Sequence, residues 1–118
     1  MIKVIDLVGK NAISMQSGTK LYEKIFPKLA KKEKIELSFE GVSLYASPFF
    51  NASIGLLLKD ISIDELMSNM KIIEINDIGR DLLNDVIQNA LTFYGEQSSI
   101  TEILDQASDK KGNDGELN

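Results

Sequence analysis

Neither cysteine nor histidine occurs anywhere in this sequence. Without cysteine there can be no disulfide, no thiolate nucleophile and no cysteine-based zinc site. Without histidine the chain lacks the commonest general acid/base, the commonest metal ligand and every Ser-His-Asp arrangement. Carboxylates and lysines are left. The expectation is a protein with no catalytic activity and no cofactor.

Long apolar runs are missing too. The run Ile54-Gly55-Leu56-Leu57-Leu58 falls far short of the roughly 18–20 residues that a membrane span needs. The N-terminal Met1-Ile2-Lys3-Val4-Ile5-Asp6 does not read as a charged leader followed by an apolar stretch and a small-residue cleavage site. A cytoplasmic protein that does not engage membrane is therefore expected.

Excess positive charge is absent as well. Formal net charge is −5, from 18 acidic and 13 basic residues. Six of those acids but only two of the bases follow Tyr94, so a near-neutral body carries an acidic tail. That distribution has no electrostatic footprint for nucleic acid. The basic run from Lys28 to Lys34 is interrupted by a glutamate and reads as the solvated end of a helix.

What is present is the composition of one folded domain. The chain has 118 residues, 43% hydrophobic and 26% charged, enough for a single core. Ile2 to Leu7 alternates and is β-branched, which predicts a strand. Val8-Gly9-Lys10-Asn11 predicts a turn, and Ala12-Ile13-Ser14 a short returning strand. Ser17 or Thr19 is placed to cap a helix through Leu21, Ile25, Phe26 and Leu29, with Pro27 expected to kink it or delay its start.

Lys34 to Phe39 alternates strictly and is the clearest strand. Ser47-Pro48 then marks a helix start, with serine as cap and proline in the first turn. Phe50, Ile54, Leu57 and Leu58 form its buried stripe, and Gly55 allows that helix to pack closely on the sheet. Ser62 and Glu65 are spaced as a capping box. Lys71 to Ile75 is a further strand, parallel to the Ile35 strand if joined by a right-handed crossover. Asn76-Asp77 opens the best helix, with Leu82, Val86, Ala90 and Tyr94 on one face and Leu83, Ile87 and Leu91 beside them.

After Gly95 the pattern weakens. One short helix at 99–107, through Ile100, Ile103 and Leu104, is expected within a tail, residues 95–118, whose end from Asp109 is disordered. No internal repeat or heptad run stands out.

The stretch with most functional content is Glu36 to Leu58, ELSFEGVSLYASPFFNASIGLLL. A strand ends in a polar connection, and a serine sits at the electropositive start of an apolar helix, where a phosphate or a partner's carboxylate can be received. Here the sequence resembles the STAS family, the sulfate-transporter and anti-sigma-factor-antagonist domains. It is most similar to the STAS-like branch left as a domain of unknown function. The resemblance rests on LSFEGVSLYASPFFNASIGLLL and, more loosely, on KIIEINDIGRDLLNDVIQNAL, and covers residues 1–94 in element order.

The fold implied is α/β, a small mixed sheet of about four strands with helices packed on it. The function implied is non-catalytic. In anti-sigma-factor antagonists this helix docks on a GHKL-type ATPase that phosphorylates a serine at the helix start and so releases the antagonist. Carried over by position, Ser47 matches the serine pair and is the candidate phospho-acceptor. Pro48 replaces the second serine, the usual acceptor, and Ala46 stands where those antagonists carry aspartate. Both departures count against a phospho-switch, and a plain helix-capping role for Ser47 is the simpler reading.

Ser47, Phe49, Phe50 and Asn51 are the candidate partner-binding residues. Two adjacent phenylalanines are hard to bury on one narrow stripe, so one is expected in the core and the other exposed beside Asn51 as a docking anchor. Asp60, Asp64 and Glu65 lack calcium-loop spacing and read as solvated turn charges. Gly9-Lys10 lacks the upstream glycine of a P-loop. The leading expectation is thus a regulatory module that binds a protein partner. The alternatives are a self-associating assembly subunit that pairs along the Ile2–Leu7 edge and, with no glycine-rich cradle to favour it, a small-ligand sensor.

Overall fold

A computed structural model describes the backbone of residues 1–110 and the side chains of residues 1–95. The first strand, β1, covers only Ile2–Lys3. The chain then turns into a helix, α1 (Val4–Val8), instead of continuing as the expected strand to Leu7. Val4, Leu7 and Val8 are spaced for one helical face and not for alternation, and Val4 is buried in the core. Gly9, at φ 81, closes it by donating its N–H to the Ile5 carbonyl (2.9 Å). The edge on which Ile2–Leu7 self-pairing would depend is therefore two residues long.

Strand β2 (Asn11–Ala12) does not return along β1 but pairs in parallel with β4 (Leu44–Tyr45), Ala12 opposite Tyr45. Helix α2 (Met15–Ala30) is capped by Ser14, whose hydroxyl accepts the Ser17 N–H at 3.0 Å, and neither Ser17 nor Thr19 is the cap. Pro27 sits inside α2 and the helix continues past it to Ala30. Leu21, Ile25 and Leu29 form its buried face.

Strand β3 (Ile35–Ser38) is the middle of a three-stranded sheet, between β1 and β5 (Met70–Ile73), with every pairing parallel. The expected four-strand sheet is thus divided in two, three strands in one and β2–β4 in the other. Leu37 faces Ile2 on one side and Ile72 on the other, and Leu37 and Phe39 are fully buried.

The helix that begins at Ser47 is interrupted. It comprises α3 (Ser47–Ala52) and α4 (Ile54–Leu57), divided at Ser53 with φ −116 and ψ −92. The Ser53 N–H bonds the Phe50 carbonyl (3.2 Å), and its buried hydroxyl donates to the Phe49 carbonyl at 2.8 Å. A serine that bonds the carbonyl four residues back bends a helix in this way.

Ser62 caps α5 (Ile63–Asn69) by accepting the Glu65 N–H at 3.1 Å. Asn76 opens α6 (Asp77–Lys110), its side-chain oxygen accepting the Gly79 N–H at 2.7 Å. Leu83, Val86 and Ala90 are buried, with Leu82, Ile87, Leu91 and Tyr94 packed beside them. Helix α6 runs through Gly95 and the 99–107 segment without a break. The disorder expected from Asp109 falls almost wholly outside the described residues. No helix among the described residues is long and apolar enough to cross a membrane.

Candidate functional site

The segment leading into Ser47 is held by the small β2–β4 ladder. Ser43 donates its N–H to the Lys10 carbonyl (2.8 Å), and Ala46 donates to Ala12 (3.0 Å). Because Ala46 hangs on Ala12, Ile13 and the Ser14 cap of α2 lie beside the start of α3. Further along, α2 and α3 pack closely, Gly18 lying against Phe49 and Ala52. Two helix starts are thereby brought side by side.

Ser47 is not the cap of α3. Ala46 occupies that position, in extended conformation, and no side chain caps the helix. Ser47 is the first helical residue and half-buried, and among the described residues its hydroxyl makes no hydrogen bond. The capping role read from the sequence is overturned, because the helix begins one residue earlier than a serine cap requires. Pro48 has no N–H, and that of Phe49 is taken by the Ala46 carbonyl at 3.1 Å. Few donors are left at this six-residue helix start, so it is a poor cradle for an anion.

Phe49 and Phe50 are both fully buried. Neither ring can be the exposed anchor expected beside Asn51. Helix α3 is enclosed from two sides, by α2 and by α6, so its buried arc is wide enough for neighbouring residues. Phe50 stacks on Tyr45 (ring centroids 5.7 Å apart) and lies 6.2 Å from Phe39, while Phe49 meets Phe50 edge-on at 5.3 Å. These rings position the site from beneath. Asn51 is exposed, so of the four predicted residues Asn51 is open to a partner and Ser47 partly so.

Three residues at this end were not anticipated as site residues. Ile13 is 43% exposed, Met15 65% and Leu44 56%. Leu44 pairs with Asn11, two residues before Ile13, so Ile13 and Leu44 fall on one face of the ladder. Period-two alternation around Ala12 and Tyr45 was the available signal, in strands of only two residues.

Tyr45 links this ladder to α6. A Cβ on Gly79 would stand 2.8 Å from its ring. Its hydroxyl is buried without a hydrogen-bond partner, and burial pushes its pKa above the ordinary tyrosine value. Tyr22 on α2 is also raised, first by burial, then by the negative charge of Asp60 and by Tyr94. Gly55 makes its close approach to Val86 of α6, not to the sheet (a Cβ there would lie 3.0 Å from Cγ1). Asp60 and Asp64 are exposed, and Glu65 makes a loose ion pair with Lys32 at 3.8 Å.

An open cavity of about 1210 Å³ lies elsewhere, at the starts of β1, β3 and β5, rimmed by Lys24, Lys28 and Met67 among others. None of the four predicted site residues lines it.

Two small parallel sheets backed by helices, with an interrupted helix following β4, make a small α/β domain consistent with the STAS-like kind. The chain belongs to the family described as STAS-like domain of unknown function, whose model matches residues 17–80. That match runs from the first turn of α2 to the start of α6 and includes Ser47, and it leaves out β1, α1, β2, Ile13, Met15 and nearly all of α6. Comparison with curated proteins and with solved structures yields no match.

Proposed function

We propose that this chain is a non-catalytic regulatory module that docks a protein partner on the joined starts of α2 and α3. The observation that supports this reading is that Ile13, Met15 and Leu44 are exposed on the segments that lead into α2 and α3, next to half-buried Ser47, with Asn51 exposed on α3. Single exposed apolar residues are ordinary; several at one end, set on rigid elements, are what an interface uses. The partner class, a GHKL-type ATPase, follows from the family resemblance. Phosphorylation of Ser47 would set a dianion among these apolar side chains and weaken docking, since charge is costly to desolvate there.

The test is capture by the tagged chain from its host lysate, with and without ATP, read by mass spectrometry. Recovery of an ATPase whose retention changes with ATP supports the module. A Met15→Glu, Leu44→Glu double variant should then lose that ATPase, while Met67→Glu, equally exposed on α5, should keep it. Equal loss in both would move the interface away from this end, and recovery of no ATPase would count against the reading.

A further inference from the structure

The three-stranded sheet is only partly covered where its strands begin. Ile2 and Ile72 flank Leu37 in register and Ile35 pairs with Met70, so one apolar strip crosses all three strand starts. Ile2, Ile35 and Ile72 are half-buried, as is Leu7 of α1, and Met67 of α5 is 66% exposed. All of these line the open cavity of about 1210 Å³. That volume exceeds the roughly 300–1,000 Å³ of small-molecule pockets and suits a stretch of polypeptide. Methionine at its edge adapts to the shape of an incoming apolar surface.

The charge around this strip differs from that of the body as a whole. Five of the eleven basic residues up to Tyr94 line the cavity, against three of the twelve acidic ones. Lys24 and Lys28 stand one turn apart on α2, Lys34 immediately precedes β3, and Lys3 and Lys71 belong to β1 and β5. Cations thus reach the cavity from a helix and from all three strands. None of the five is in an ion pair among the described residues, where Lys32–Glu65 is the only one. Lysine stems lie along apolar surface and hold the ammonium at its rim, so these cations are placed to meet a partner's carboxylates.

We propose that the cavity is a second docking site, and that its occupant is an acidic amphipathic helix of a protein partner. Such a helix carries an apolar stripe between charged flanks, the complement of an apolar strip bordered by lysines. The site does not depend on the docking surface proposed above. Met15 and Lys28 lie in the first and last turns of α2, about 20 Å apart at 1.5 Å per residue. The two surfaces are therefore at opposite ends of one helix, and a single chain can hold two partners.

Fluorescence anisotropy with the full chain and a labelled leucine–glutamate peptide tests this, the peptide being about 18 residues, long enough to form a helix. The acidic peptide should bind, and its counterpart with lysine for glutamate should not. Binding should weaken as salt rises. Lys24→Glu with Lys28→Glu should weaken it about tenfold. Lys20→Glu with Lys59→Glu, the same charge change on exposed lysines outside the cavity, should leave it nearly unchanged. Met67→Glu should lose the peptide and keep the ATPase of the first reading, while Met15→Glu with Leu44→Glu should do the reverse, so either site can fail alone. No binding of the acidic peptide, equal binding of both peptides, or equal effects of the two lysine pairs would each overturn the proposal. So would lysine-dependent binding of phosphatidylglycerol vesicles in place of the peptide, which would give the cavity to a membrane surface. Self-association of the chain that Lys24→Glu with Lys28→Glu abolishes would overturn it too, in favour of a second copy.

Discussion

Gly18 of α2 lies directly against the backbone of Phe49 in α3. A Cβ at position 18 would run into the Phe49 carbonyl oxygen and stand 2.9 Å from the Ala52 Cβ. The close approach of the two helices rests on that missing methyl group. Gly18→Ala should therefore destabilise the fold by about 1–3 kcal/mol, although alanine alone favours a helix by about 1 kcal/mol. Gly95, on the same type of element but with nothing within 4 Å, is the contrast. Gly95→Ala should stabilise by up to about 1 kcal/mol, and urea midpoints of the two variants should move in opposite directions.

The same carbonyl of Phe49 depends on Ser53. At the break between α3 and α4 the Ser53 N–H is used by Phe50, and its hydroxyl serves Phe49 instead. Ser53→Ala leaves that carbonyl without this donor in a buried place and should cost about 1–3 kcal/mol. Thermal denaturation of the variant measures it. An unchanged melting temperature would mean that the hydroxyl contributes nothing at the break.

Tyr45 makes the opposite case. Its buried hydroxyl has no partner, so Tyr45→Phe should be neutral or stabilising by up to about 1–3 kcal/mol. The pH dependence has a definite sign. A phenol whose folded-state pKa is raised holds its proton more tightly in the folded chain. The stability tied to it is complete below the ordinary value of about 10 and is lost as pH rises through the folded value. Denaturation above pH ~10 should be less steep in Tyr45→Phe than in the parent, part of the remaining slope being due to Tyr22, whose pKa is also raised.

Binding and folding can be separated at α3. Phe50→Ala empties the centre of the aromatic cluster and should cost about 3–5 kcal/mol. Asn51→Ala, on the exposed side, should stay within about 0.5 kcal/mol. Loss of a partner in the Phe50 variant accompanied by unfolding says nothing about contact. Loss in Asn51→Ala with an unchanged denaturation curve places the partner on this helix.

Much of this architecture was legible beforehand. The strands read at Lys34–Phe39 and Lys71–Ile75 form as Ile35–Ser38 and Met70–Ile73, the second ending before Glu74 at φ 61, and they pair in parallel as the crossover argument required. The cap at Ser62 and the buried stripe of α6 also match their patterns. The differences arose where a short apolar cluster was read with a strand's period or where burial came from elsewhere in the chain. Val4, Leu7 and Val8 stand at helical spacing, and the buried position of Val4 fits the helix that forms. Ser14 and Ala46 took the capping positions ahead of the expected residues because the β2–β4 pairing sets where each helix begins. Both phenylalanines are buried because α2 and α6, distant in sequence, enclose α3 together. A window read along one helix contains no information about that enclosure.

The β2–β4 ladder has a consequence for when the surface at Ser47 comes into being. Ala12 and Tyr45 are partners about thirty residues apart, and all of α2 and β3 lies between them. Closing so long a loop for four residues of ladder is entropically unfavourable until the intervening elements have packed. The surface should therefore assemble late in folding and be among the first regions to open in hydrogen exchange. A peptide cut from residues 44–58 would carry the serine and lack the surface, so partner binding should report on the integrity of the whole domain.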